Sequence, residues 1–462
     1  MDSRKNGNNN VLDDTRIGRL LLKLSLPAFV GIFVITLYNV VDTVFIGRYV
    51  GPLGIAGLSI VFPLQMLCMG VGQLVGIGGA SLISRMIGAG DEDTAERTLG
   101  NSISIIVVLS ILITVVGLVW IKMWLRIMGA TETIMPYAID YLRIILPGFM
   151  FHIAAMSLNG LIRAEGNAKI PMIGMMVGAI SNIILDAVFI IKFGMGIRGA
   201  AIATVIAQVM SAVYITSYYF SGNSYLKLRM SHFKFDLKVL GPIFAIGSAS
   251  FARTLATSLS AVIINNLLST HGGDVEIAVY GIVNRIVMFA LMPGVVIGQG
   301  LQPILGFNYG AKRYLMAFRS VKIAIVSSTL LCSVSLVIIH LIPGPIVGIF
   351  TTDPDVIRAG IHASRIVFSM MFVVGYIQVG SLYFQSVGKA VESFITAISR
   401  TILFLIPLVL ILPSYMQLDG IWFAFPITDI LTVSLTALLF APQLKKLKRL
   451  GKQQARDADA AR

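Results

Sequence analysis

Charge is scarce in this chain. Only 13% of its 462 residues are Asp, Glu, Lys or Arg, where a soluble domain carries roughly 25%. No polar stretch is long enough to fold as a soluble domain, so the nucleotide-binding head of a primary pump is missing. A Gly-x-x-x-x-Gly-Lys-Ser/Thr loop is missing too, which argues against ATP as the energy source. Cysteine is nearly absent. Cys68 and Cys332 both lie in apolar runs and read as packing residues, not as a disulfide. The five histidines are scattered, without metal-ligand spacing. A polar, charged start runs straight into a full-length apolar segment, so no cleaved signal peptide is expected.

What is abundant is apolar surface, at 56% of residues. Runs of about 20 apolar residues recur along the whole length, which predicts an all-α polytopic membrane protein. Twelve spans are expected, near 20–47, 55–82, 98–121, 134–161, 170–192, 198–220, 238–268, 277–304, 318–341, 356–385, 390–412 and 419–442. Pro27, Pro63, Pro147, Pro293, Pro407 and Pro426 fall inside spans, where each removes a helix hydrogen bond.

The net charge of +14 would suggest nucleic acid in a soluble protein. Here it follows the bilayer instead. With the N-terminus inside, 25 Lys and Arg fall on inner segments. Only six, Arg48, Lys122, Arg126, Lys192, Arg198 and Arg358, fall outside. The positive-inside rule then places both termini in the cytoplasm, with the chain in the inner membrane of a prokaryote. Expected parts are a cytoplasmic segment at 1–19, a lobe at 20–220, a linker at 221–237, a second lobe at 238–442 and a basic tail at 443–462. Lys445-Lys446-Leu447-Lys448-Arg449 reads as an anchor to anionic lipid. Asp91-Glu92-Asp93 reads as a solvated loop.

The second lobe repeats the first. Leu22-Lys-Leu-Ser-Leu-Pro27 matches Leu237-Lys-Val-Leu-Gly-Pro242, and Arg85-Met-Ile-Gly-Ala-Gly90 matches Phe307-Asn-Tyr-Gly-Ala-Lys312. Arg163-Ala-Glu-Gly166 matches Gln385-Ser-Val-Gly388, and Gly199-Ala-Ala-Ile-Ala203 matches Gly420-Ile-Trp-Phe-Ala424. Six spans per half give both repeats one orientation, with the pseudo-symmetry axis along the membrane normal.

Asp42 and Asp186 carry the functional signal. A carboxylate inside a span costs kilocalories and is kept mainly when it works. Asp42 lies about five residues from the outer end of span one and Asp186 about six from that of span five. Thr204 lies about six residues into span six, so at about 1.5 Å per residue the three share one depth. Asn182 is one turn below Asp186 on the same face, and Tyr38 and Asn39 are one turn below Asp42. Two carboxyls, an amide, a hydroxyl and the Ala200 carbonyl can therefore converge. Such hard oxygen ligands suit Na⁺, or a proton shared by two acids.

The repeat marks, together with Asp42-Thr43, Ile46-Gly47, Gly72-Gln73, Asn182-x-x-x-Asp186, Gly298-Gln299, Pro303 and Asn308-Tyr-Gly310, resemble the multidrug and toxic compound extrusion (MATE) family. The likeness is to its DinF-like and MepA-like branch. It implies two six-helix lobes forming a V around a central cavity. It also implies a secondary antiporter, not an enzyme, that expels drug-like organic cations in exchange for H⁺ or Na⁺. No cofactor beyond that ion is implied, and the chain is expected to act as a monomer. The resemblance maps Asp42, Asn182, Asp186 and Thr204 onto the first-lobe cation site. It places Asn159 in the substrate cavity, with Tyr38, Asn39 and Tyr141 as further candidates. A NorM-like branch carries carboxylates in span seven, where this chain reads Ile264-Asn265-Asn266, so coupling is expected in the first lobe.

Other polar residues at membrane depth are Arg253, Arg285, Asp429, Gln302, Gln378 and Gln385. Arg285 and Asp429 are expected to pair structurally. The 21 Met and 25 Phe suit an adaptable cavity and equally suit core and lipid contact. Two competing functions stand beside antiport. A lipid-linked oligosaccharide flippase needs a cationic cavity, for which Arg253 and Arg285 are thin. An intramembrane aspartyl protease needs a Tyr-Asp or Gly-x-Gly-Asp setting, which neither Asp42 nor Asp186 has.

Overall fold

A computed structural model describes residues 11–50, 52–271 and 273–460. The expected segment up to residue 10, with Arg4 and Lys5, lies outside the described residues, as does the side chain of Thr43. Among the described residues the chain is helical throughout, with no strand. Eleven helices are long and apolar enough to cross a membrane, and a bent pair makes a twelfth span. The chain is a multi-pass membrane protein, as its hydropathy predicts.

The first half runs α1 (Ile17–Tyr49), α2 (Pro52–Ala89), α3 (Glu92–Val119), a short α4 (Ile121–Ile127), α5 (Met135–Ala164), α6 (Lys169–Asp186) and α7 (Gly196–Phe220). The second runs α8 (Leu237–His271), α9 (Gly273–Gly310), α10 (Tyr314–Leu341), a short α11 (Pro343–Gly348), α12 (Pro354–Val367) and α13 (Met371–Val387). It ends with α14 (Ala390–Ile398), α15 (Ile406–Ile411) and α16 (Pro413–Ala460).

The tenth span is the bent one. Hydropathy predicts one helix at 356–385; α12 and α13 instead meet at 53°. No proline causes this. Tight three-residue bonds, Ser369 N–H to Ile366 O and Val373 N–H to Met370 O, interrupt the ladder. The Ser369 hydroxyl adds a bond to the same Ile366 carbonyl.

The repeat is written in the backbone. Gly166 (φ 90) and Gly388 (φ 81), 222 positions apart, both end a helix in the left-handed region. Gly90 (φ 78) and Lys312 (φ 57), also 222 apart, do the same. All four turns close with the same pair of bonds, shown by Asn167 N–H to Ile162 O and Lys389 N–H to Phe384 O. The short helices α4 and α11 begin 222 positions apart as well. Two spans then carry a wide π-helical turn, at Ala187–Lys192 and at Ser399–Leu405.

Contacts divide the chain into two compact units. One holds Leu26–Thr254 and the turn at Val11–Asp13; the other holds Asp14–Ser25 and Leu255–Arg462. The first packs through small residues, as membrane helices must when lipid is as apolar as Leu. Ser157 on α5 donates to the Gly72 carbonyl on α2 (3.0 Å), and Ser211 on α7 donates to the Gly174 carbonyl on α6 (2.8 Å). Gly199 presses against the backbone of Phe189, which brings the start of α7 onto the π turn. Gly420 presses in the same way against Leu412 in the second unit.

The polar linker folds back on the first unit. His232 is buried, and its carbonyl accepts from Asn101 on α3 (3.2 Å). Asp236 N–H donates to the same Asn101 (2.8 Å). Glu165, just past α5, accepts from Ser224 Oγ (2.8 Å), Tyr225 N–H (2.9 Å) and Tyr218 Oη (3.3 Å). The basic tail continues α16, where Leu447 is buried and Gly451 packs on Leu315 of α10.

Candidate functional site

Five helices of the first unit bring polar groups to one place. Asp42 comes from the C-terminal third of α1, Asn182 and Asp186 from the last turns of α6, and Ala200 and Thr204 from the start of α7. Tyr141 comes from α5 and Gln65 from α2. The close α6–α7 seam at Gly174 and Ser211 fixes the middle of this set. Asn182 Nδ2 donates to Thr204 Oγ1 (3.3 Å), and Thr204 Oγ1 donates to the Ala200 carbonyl (2.9 Å).

The Asp42 and Asp186 carboxyls face each other closely enough to share a hydrogen bond when one is protonated. Tyr38 and Tyr141 both stand within electrostatic reach of Asp42. Asp186 is fully buried and Asn182 nearly so. Both Asp186 oxygens, Asp42 Oδ1 and Asn182 Oδ1 are buried without a hydrogen-bond donor. Four acceptor oxygens without donors is a costly arrangement unless a proton or cation completes it.

Two cavity candidates sit differently. Tyr141 is 2% exposed and its hydroxyl accepts from Gln65 Nε2 (3.3 Å), so it belongs to the carboxyl cluster. Asn159 is 4% exposed and accepts from Arg163 one turn on, a bond within α5. Asn39 is exposed, with its amide on the Ile35 carbonyl (2.9 Å), and Tyr38 is half-buried. Sequence reading missed Gln65. Its signal was a lone amide two residues after Pro63 in an apolar run.

In the second half the expected Arg285–Asp429 pair does not form. Asp429 accepts instead from Arg400 Nε (2.8 Å), and Arg285 is exposed on α9. The reason is packing: α16 lies along the π turn at Ser399–Leu405, which sets Arg400 beside Asp429. Arg253 lies in the stretch of α8 that packs with the first unit. Gln302 and Gln378 are half-buried, and Gln385 is buried at the end of α13. Among the described residues no group of three His, Cys, Asp or Glu is placed to hold a metal ion.

The family model described as MatE matches residues 27–188 and 249–411, one block in each half. The chain belongs to the MatE family. It is therefore a membrane transporter of the multidrug-efflux type and not an enzyme. Multidrug export protein MepA of Staphylococcus haemolyticus (strain JCSC1435) is 27% identical over 419 residues, covering 90% of this chain and 92% of that protein. A MATE solved in complex with MaL6 is 26% identical at TM-score 0.91, covering 96% of this chain and all of that one. A solved structure of the MATE multidrug transporter DinF-BH is 40% identical at TM-score 0.87, covering 93% of this chain and 96% of that one. MATE membership accounts for the twelve-span duplicated fold and for the repeat marks at Gly90, Gly166, Lys312 and Gly388.

Proposed function

We propose that this MATE protein exports amphipathic, mostly cationic small molecules in exchange for H⁺ or Na⁺, coupled at Asp42 and Asp186. The observation that carries the reading is the set of four buried acceptor oxygens without donors on Asp42, Asn182 and Asp186. An apolar span keeps such a set when an ion completes it. Na⁺ would take those oxygens with Thr204 Oγ1 and the Ala200 carbonyl. A proton would bridge the two carboxyls. No further cofactor is called for.

With both acids charged and no ion bound, their repulsion holds α1 away from α6 and α7. Ion binding removes the repulsion, and the three helices close. Closure disfavours a bound organic cation in the same unit, which Tyr38 and Asn39 are positioned to contact. All the coupling groups come from one unit of one chain, so a monomer suffices. The excess of Lys and Arg on one side supports insertion in a prokaryotic cytoplasmic membrane with both termini inside.

Dye efflux from proteoliposomes tests this directly. Either an imposed proton gradient or an imposed sodium gradient should drive it, and the arm that does names the ion. Efflux indifferent to both gradients would reject antiport.

A further inference from the structure

Arg400 is unused by that scheme. It sits in the π turn at Ser399–Leu405, between α14, which starts at Ala390, and α15, which ends at Ile411. At about 1.5 Å per residue it lies roughly 15 Å from either end of its span. Its Nε donates to Asp429 Oδ1 at 2.8 Å; the aspartate side chain is 3% exposed and the arginine side chain 30%.

A guanidinium has five N–H donors in a fixed fork. Asp429 takes the one on Nε. Among the described residues no other carboxylate lies within ion-pair distance of the Nη edge. Open guanidinium donors do not face hydrocarbon, where each unsatisfied group costs several kcal/mol. The exposed part of the Arg400 side chain therefore calls for water or a polar partner at bilayer depth. Asp429 holds the guanidinium through Nε and leaves the two-nitrogen Nη fork without a carboxylate partner among the described residues.

We infer that Arg400 is a receptor for an anionic group on the transported molecule, and that Asp429 positions it. The fork matches a carboxylate, held by two parallel bonds. The ligand class is an amphiphile with a carboxylate or equivalent anionic oxygen, such as a zwitterionic drug. A lipid phosphate stays at the interface, about 15 Å away, and does not reach it. The inference rests on the efflux reading and extends its substrates beyond plain cations.

Rhodamine B and its ethyl ester test it, because they differ only in the free carboxylate. Affinities of both for the detergent-solubilised full chain are read by fluorescence anisotropy. The quantity compared is the ratio of the two dissociation constants, which the folded fraction of a variant does not alter. Preference for the acid over the ester should fall about tenfold in R400Q, the loss expected when a charged hydrogen-bonded contact goes. R400K keeps the charge, loses the fork and should fall between. An unchanged ratio in both variants overturns the inference, and so does a wild type that binds the ester but not the acid. Ester binding that survives in either case leaves the efflux reading standing. A wild type that binds neither dye sinks both.

Discussion

Asn182 and Thr204 are joined across the α6–α7 seam by an amide-to-hydroxyl bond of 3.3 Å. The hydroxyl donates its own proton to the Ala200 carbonyl, so the Thr204 donor is spent within the seam. Both Asp186 oxygens, Asp42 Oδ1 and Asn182 Oδ1 are left without a donor. This polarity distinguishes an ion site from a structural network, in which donors and acceptors balance.

Neutralising either acid should therefore stop coupling without unfolding the protein. Asp42→Asn and Asp186→Asn are each expected to abolish gradient-driven efflux while membrane insertion and detergent monodispersity stay normal. Each variant supplies the missing donor, so its thermal stability should match or exceed wild type. Transport at wild-type rates in both variants would remove the site from the mechanism.

Much of this was legible in the sequence, for a physical reason. Span positions follow from hydropathy, and depth follows from a fixed rise per residue, so the placing of Asp42, Asp186 and Thr204 at one depth, with Asn182 one turn deeper, could be counted. The repeat could be read because left-handed turns demand particular residues, with Gly at 90, 166 and 388. Arg400 was not legible as the partner of Asp429, because the packing of α16 along the π turn sets that pair. Glu165 was visible only as part of a repeat mark. Its partners Ser224 and Tyr225 lie 59 and 60 positions away and come to it only when the linker folds back.

Glu165 gives the linker a pH dependence. It lies past the end of its span and is buried, and burial pushes its carboxyl from 4.5 up to about 7. Its Oε2 takes all three hydrogen bonds, while Oε1 is buried without a partner, as suits a neutral acid. The docked pKa is raised above the free one, so the stabilisation is fully present below about 4.5 and is lost as pH rises through about 7. The swing is on the order of 3 kcal/mol. Hydrogen exchange over residues 221–236, corrected for intrinsic rate, should show protection falling as pH rises. Glu165→Gln should flatten the Glu165 contribution. His232, which lies 3.7 Å from Asp93 and 3.9 Å from Glu96, remains in that variant as an internal comparison. An identical pH profile in wild type and variant would deny Glu165 this role.

The crossing of α2 and α8 in the first unit makes a stability prediction. A Cβ on Gly247 would fall onto the Leu74 carbonyl, and one on Gly78 onto that of Ile243. Backbone cannot yield as a side-chain tip can, so Gly247→Ala should cost at least about 1–3 kcal/mol, the usual range for overpacking. Gly241, on the same helix, has nothing within 4 Å of such a Cβ. Gly241→Ala should be neutral or stabilising by up to about 1 kcal/mol, because Ala favours helix. Thermal unfolding of the two variants side by side decides it; equal midpoints would mean that the helices do not cross so closely.

Ion and drug must also oppose one another reciprocally if both act through the first unit. The ion is favoured by the closed arrangement of α1, α6 and α7, and the drug by the open one. Each then lowers the other's affinity by one common factor, because both report the same coupling free energy. A coupling of about 1–3 kcal/mol would appear as roughly a 5- to 150-fold change. Calorimetric titration of a cationic dye at two proton and two sodium concentrations measures one side. Titration of the effective ion, with and without saturating dye, measures the other. The two factors should agree for the true coupling ion and vanish for the wrong one. In Asp186→Asn the dye should bind with an affinity independent of both ions, since the buried oxygens that discriminate the two arrangements are then altered. Dye affinity that ignores both ions in wild type would leave the efflux assignment intact but reject coupling through this unit.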